Sequence, residues 1–235
     1  MVPTSGAGSL LTLDPTRRLK DKGRGRAIYA CDVGSCRRGN FAWARVGPEQ
    51  PARPTSSADI EQLVLALRKD FTDGLNIALG FEAPLFVPVP DDPDDIGRAR
   101  AGEGNRPFSA GAGASAALLG LQQAAWVMSR LRGGTEEYGV TTDWRPWPHP
   151  SPTILLWEAF VSGGVKGECH ADDAITAAME FHRRETSLCS DVTSELPLSL
   201  VGAAALWSGL CEDPSVLRRP VLVLRPTKRY ESGLG

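Results

Sequence analysis

Hydrophobic residues along the chain fall into short continuous runs, separated by polar and glycine-rich turns, with a few stretches of helical spacing. Residues 27–33 (Ala27-Ile28-Tyr29-Ala30-Cys31-Asp32-Val33) predict a buried strand. The turn Arg37-Arg38-Gly39-Asn40 leads into Phe41-Ala42-Trp43-Ala44-Arg45-Val46, and the two runs together predict a β-hairpin. Ser57-Ala58-Asp59-Ile60-Glu61 starts a helix with Leu63, Val64, Leu65 and Leu67 on its apolar face, up to about Phe71, and Asp73-Gly74 breaks it. Residues 76–82 are again continuous and apolar, as in a strand covered on both faces. No third strand is evident between residues 47 and 57.

Residues 87–113 are rich in Pro, Asp, Gly and Arg and predict a long loop, a feature often functional in compact domains. A helix from roughly Ala112 to Leu131 follows, with Leu118, Leu121, Trp126, Val127 and Leu131 as its packing face and Gly133-Gly134 as its end. Residues 134–152 read as irregular. Thr153 to Val161 is a buried strand, about Ala171 to Arg184 a helix, Pro197 to Leu210 a second, and Pro220 to Arg225 a short terminal strand. The order of two strands, helix, strand, helix, strand, helix implies an α/β layered fold.

A length of 235 residues suits one domain. A net charge of −2 excludes a nucleic-acid binder working by bulk charge, so such binding needs a local basic patch. Residues 1 to about 25 read as a flexible basic arm, ending Arg17-Arg18-Leu19-Lys20-Asp21-Lys22-Gly23-Arg24-Gly25. It is either a solvated tail or an arm that contacts a phosphate backbone. The folded domain then covers 26–235, with a C-terminal helical extension. Five cysteines, odd in number and irregularly spaced, fit neither a zinc knuckle nor a disulfide framework, and predict reduced, buried thiols. The apolar runs fall far short of membrane-spanning length, and Met1-Val2-Pro3-Thr4-Ser5-Gly6 lacks a signal-peptide pattern. A cytoplasmic protein with no membrane partner is the expectation.

Chemistry enters through acids at the ends of the apolar runs. Asp32 closes the first, where starting the Gly turn is an equal reading. Glu82 interrupts an apolar segment, and a buried carboxylate is costly unless metal-bound or paired, for instance with Arg98 or Arg100. His170 and Asp173, three apart at a helix start, share one face. Asp172 or Asp173 could instead favour the helix dipole. The small Ala174, Ala177 and Ala178 let that helix lie close to a sheet, bringing its first turn near the strand ends. Glu158, inside a buried strand, is either an accessory ligand or an ion-pair member, and Asp172 is a second accessory candidate. Such carboxylate and imidazole sets suit Mg²⁺ or Mn²⁺ and metal-dependent phosphodiester cleavage.

Three of these segments carry a resemblance. Asp32-Val33-Gly34-Ser35 with Gly39 and the 41–46 run looks like the first hairpin of RuvC-type Holliday junction resolvases, of the RNase H-like superfamily. Glu82-Ala83-Pro84-Leu85-Phe86 is similar to their second acidic motif, and His170-Ala171-Asp172-Asp173-Ala174-Ile175 resembles their helix motif. The chain as a whole looks more like the DUF429 group of RNase H-like nucleases, over roughly residues 27–185. The resemblance implies an RNase H-like mixed β-sheet flanked by helices. It also implies Asp32, Glu82, His170 and Asp173 as catalytic ligands of two divalent ions in a nuclease. Arg37, Arg38, Arg98, Arg100 and Arg106 would contact the phosphates of the nucleic-acid substrate. The resolvases bind as dimers through a basic surface, so a homodimer is admitted, although this chain is not basic overall. The 87–113 and 134–152 segments fall outside the resolvase pattern. A non-catalytic module of the same fold is the alternative, its acids paired with arginines. A phosphotransferase reading lacks a glycine motif after a strand, since Ser109 to Ala114 follows a loop.

Overall fold

The computed structural model describes residues 25–104, 107–132 and 138–231. The basic arm up to Arg24 and Arg106 therefore lie outside the described residues. The chain folds as β1 (Arg26–Asp32), β2 (Ala42–Val46), β3 (Thr55–Ser57), α1 (Ile60–Thr72), β4 (Asn76–Phe81), β5 (Phe86–Pro88), α2 (Gly111–Leu131), β6 (Gly139–Thr141), β7 (Thr153–Ala159), α3 (His170–Arg184), β8 (Pro197–Ser199), α4 (Leu200–Trp207) and β9 (Leu222–Leu224). This is an α/β architecture with a mixed sheet of seven strands in the order β3-β2-β1-β4-β7-β6, and β9 also pairs with β7.

The first three strands form an antiparallel meander, and β4 and β7 then add parallel to β1. The third strand, not evident in the sequence, is β3. Its Thr-Ser-Ser carries no apolar residue, so an edge strand pairing only on one side leaves no hydrophobic signature. Residues 134–152 likewise contain a short edge strand, β6, parallel to β7.

Alternation along the strands divides the core in two. Ala27, Tyr29 and Cys31 of β1, Ile77, Leu79 and Phe81 of β4, and Ile154 and Leu156 of β7 pack under α1, α2 and α4. Ile28, Ala30, Ala78, Leu155 and Trp157 pack on the other face, under α3. Small residues bring α3 close: Ala174, Ala177 and Ala178 are buried against this face, and α3 lies across β1 and β2. Gly80 makes room for the buried Trp157 indole, because a Cβ there would stand 2.3 Å from its ring.

Two helix faces differ from the expected ones. In α2 the buried residues are Gly120, Gln123, Ala124, Val127, Met128 and Leu131, while Leu118 is 72% exposed. In α1 Leu65 points outward beside buried Leu63, Val64 and Leu67. Both helices are apolar on more than one side, so composition alone leaves their rotation open. The segment expected as a helix from Pro197 begins as a strand, β8, which pairs antiparallel with β5 and so anchors the start of the 87–113 loop. An Ala101–Thr193 bridge ties that loop down again. The expectation of buried thiols fails for most cysteines: Cys31 is buried, but Cys36, Cys169 and Cys189 are exposed. No described helix is long and apolar enough to cross a membrane.

A buried polar knot fastens α1 to the meander. Asp70 accepts from Tyr29 Oη (2.5 Å), Arg45 Nε (2.8 Å) and Arg45 Nη2 (2.9 Å), and is 1% exposed. Asp70→Ala should cost about 1–3 kcal/mol, because it leaves the buried Tyr29 hydroxyl without its acceptor and takes from Arg45 one of its two carboxylate partners, Glu49 being the other. Gly80→Ala should cost about 1–3 kcal/mol by overpacking. Urea denaturation of the two variants measures both losses, and midpoints equal to that of the wild type would contradict this packing.

Candidate metal centre

The two-residue period that sorts the core also aims the acids. Asp32 follows Ile28 and Ala30, and Glu82 follows Ala78 and Gly80, so both carboxylates rise on the α3 side of neighbouring parallel strands. Cys31 pairs with Phe81, so the two acids sit one residue beyond the same level of the sheet. Helix α3 begins above them. Its first turn supplies Asp173, and oxygens of Asp32, Glu82 and Asp173 come within 4.8 Å of one another. Among the described residues these three form the group able to hold a metal ion.

Local chemistry fixes each member. The turn after Asp32 needs glycine at position 34, since a Cβ there would fall 1.6 Å from the Asn40 carbonyl oxygen. Gln123 of α2 donates its Nε2 hydrogen to the Gly34 carbonyl (2.5 Å) and holds the turn. Asp173 Oδ1 accepts from the Gly167 N–H (2.6 Å). His170 Nδ1 donates to Asp32 Oδ2 (2.5 Å). The expected fourth ligand thus stands beside the triad and grips one of its carboxylates, which is how an outer residue orients a ligand.

Both central acids are disturbed by their burial. Burial, reinforced by the neighbouring Asp32 charge, pushes Glu82 up from 4.5 to about 8. Burial also raises Asp32, against the opposing pull of the His170 hydrogen bond. Glu82 Oε2 is buried and finds no hydrogen-bond partner among the described residues. An oxygen-rich group with an unsatisfied buried carboxylate oxygen fits a hard divalent cation.

One member was missed by the sequence reading. Lys166, in the turn before α3, places Nζ 3.4 Å from both Glu82 Oε1 and Asp173 Oδ2. Its only sequence signal was a position in the same glycine-rich turn, seven residues before Asp173. Neither arginine considered as a partner for Glu82 reaches it. Arg98 is exposed and pairs with Asp95 (2.5 Å).

Arg100 is buried, at 4% exposure, and its donors go to Glu158 (2.8 and 2.7 Å), Glu103 (2.9 Å) and the Phe86 carbonyl (3.3 Å). This commitment takes it out of the expected set of phosphate contacts, whereas Arg37, Arg38 and Arg98 face solvent. Glu158 is correspondingly the ion-pair member of its two readings. It pairs with Phe81 in register, beside the α2 face, and its Oε2 also accepts from the Leu85 N–H (2.8 Å). The accessory candidate Asp172 turns aside too, accepting from the N–H groups of Glu168 (2.9 Å) and Cys169 (3.3 Å) and from Arg229 (3.0 Å) at the start of α3.

Asp32, Glu82 and Lys166 open into a cleft of about 440 Å³, whose lining also includes Phe108, Gly113 and Phe160. The buried Arg100 pair with Glu158 holds the loop that forms its outer wall. No protein-family model, curated protein or solved structure matches the chain.

The raised Glu82 sets a pH dependence with a definite sign. Its folded value of about 8 exceeds the ordinary 4.5, so between these limits the folded state holds the extra proton. Stability in chelator should therefore fall as pH rises from about 4.5 to 8, by at most about 1.4 kcal/mol per pH unit. Glu82→Gln should flatten that slope, and saturating Mn²⁺ should restore stability at the alkaline end. Thermal melts across this range measure it, and parallel wild-type and variant profiles would contradict it.

Proposed function

We propose that this chain is a divalent-metal-dependent nuclease of RNase H-like fold, hydrolysing phosphodiester bonds of nucleic acid. The observation that carries the reading is the triad of Asp32, Glu82 and Asp173, with its unsatisfied Glu82 oxygen. The order β3-β2-β1-β4-β7, with an antiparallel meander first and parallel strands after, supports the fold assignment. So does the correspondence of the three acidic segments with the resolvase motifs, in the same chain order.

Asp32, Glu82 and Asp173 would hold Mg²⁺ or Mn²⁺, which supplies Lewis-acid activation of water and charge stabilisation at a phosphate. His170 keeps the Asp32 carboxylate oriented through Oδ2. The Gly167 N–H does the same for Asp173. The cleft, lined by Asp32 and Glu82 together with Phe108 and Phe160, would give a substrate phosphate access to these two acids. Exposed Arg37, Arg38 and Arg98 offer contacts to the flanking backbone.

A second reading, a non-catalytic binding or scaffold module, draws on one specific observation. Lys166 already sits between Glu82 and Asp173, as a cation would in a purely structural cluster.

Calorimetric titration with Mn²⁺ separates the two. Wild-type protein should bind saturably, Asp32→Asn should lose binding, and melts should rise with Mn²⁺ only in the wild type. With single- and double-stranded DNA and RNA as substrates, Asp32→Asn and Glu82→Gln should reduce cleavage to background while their circular dichroism stays native. A wild type that neither binds Mn²⁺ nor shifts in melting favours the scaffold. If Arg37, Arg38 and Arg98 each cover one phosphate, affinity should fall about 40-fold between about 50 and 200 mM salt. Affinity independent of salt would contradict those contacts.

A further inference from the structure

The turn from Ser162 to Gly167 between β7 and α3 carries a cation into the carboxylate group. Lys166 approaches from the cleft side, with its side chain 47% exposed and Nζ at 3.4 Å from both Glu82 Oε1 and Asp173 Oδ2. Its backbone is not free to wander. The short 3₁₀ turn Gly163–Val165 precedes it, and the next residue, Gly167, is tied by its N–H to Asp173 Oδ1 (2.6 Å). Gly167 also packs so tightly on α3 that a Cβ there would stand 2.1 Å from Asp172 Cβ. The lysine is thus anchored next to the carboxylate that it faces.

Charge counting gives the placement its meaning. Once Glu82 gives up its proton to a metal, three ionised carboxylates and one ammonium leave two negative charges, which one divalent ion neutralises. Two divalent ions beside the lysine would leave an excess of two positive charges in a partly desolvated site, an arrangement that the low local dielectric penalises. The ammonium also leaves room for that single ion. At 3.4 Å it is in ion-pair contact without taking every lone pair, and Glu82 Oε2 keeps no protein partner among the described residues.

Resting on the metal-centre reading, we infer that Lys166 stands in for a second metal ion: the site takes one divalent cation, and the lysine ammonium supplies the other positive charge at Glu82 and Asp173. This departs from the two-ion arrangement that the family resemblance implies. Lys166 is then a positioning residue of the centre, keeping Glu82 and Asp173 together, and the three carboxylates would hold the single ion.

The test counts Mn²⁺ by calorimetry and reads its electron paramagnetic resonance, on the full chain and on Lys166→Met and Lys166→Arg. The wild type and Lys166→Arg should each take one Mn²⁺ per chain with the spectrum of an isolated ion. Lys166→Met, which keeps the stem and loses the charge, should take two, with the broadened spectrum of an exchange-coupled pair. Two ions in the wild type would overturn the inference, as would a single ion in a natively folded Lys166→Met. No binding to any of the three would overturn the metal centre itself, which is a different outcome from a wrong count.

Discussion

Side chains on β1, β4 and β7 point alternately to the two faces of one sheet, and the strands are locked in register by parallel hydrogen bonding. This alternation decides which acids can meet. Asp32 and Glu82 rise toward α3, whereas Glu158, level with Phe81, belongs to the opposite side and finds Arg100. Shifting β1 or β4 by one residue would bury an unpaired carboxylate among the aliphatic residues under α1 and α2, and shifting β7 would take Glu158 away from Arg100. The hydrophobic pattern of the strands therefore enforces the position of the charged site, because the same register satisfies both.

Placing three carboxylates together costs electrostatic free energy, and the surroundings offset it unevenly. Asp173 is held by a backbone N–H, Asp32 by His170, and both Glu82 and Asp173 by the half-exposed Lys166. Glu82 bears the largest remaining cost, which appears as its raised proton affinity and its unsatisfied oxygen. A proton or a cation would relieve it, so a metal ion held there would compete with the proton for one place. On the far side of the sheet the Arg100–Glu158–Glu103 cluster is fully paired. Its work is mechanical: with the β5–β8 pair it fixes the loop over the strand ends and gives the centre a cleft with an outer wall.

Much of the frame was legible in the chain. The continuous apolar runs marked β1, β4 and β7, and the hairpin turn marked the antiparallel start. The small residues of α3 announced its close approach, and the three acids of the triad stood out as charges at the ends of apolar runs. Less legible were elements held by partners remote in sequence. Strands β3, β5, β6 and β8 are three residues each and exist only as additions to other strands. The rotations of α1 and α2 depended on which side met the sheet.

The sequence by itself determined the α/β order of the main elements and the identity of the acids at their ends, because strand period and burial cost are local properties of the chain. Only the tertiary structure decided the partners. It sent Arg100 to Glu158 rather than to Glu82 or to a substrate, made His170 a support for Asp32, and brought Lys166 to the carboxylates. Those choices depend on strand register and on how α3 lies across the sheet, and no spacing along the chain encodes a distance across it.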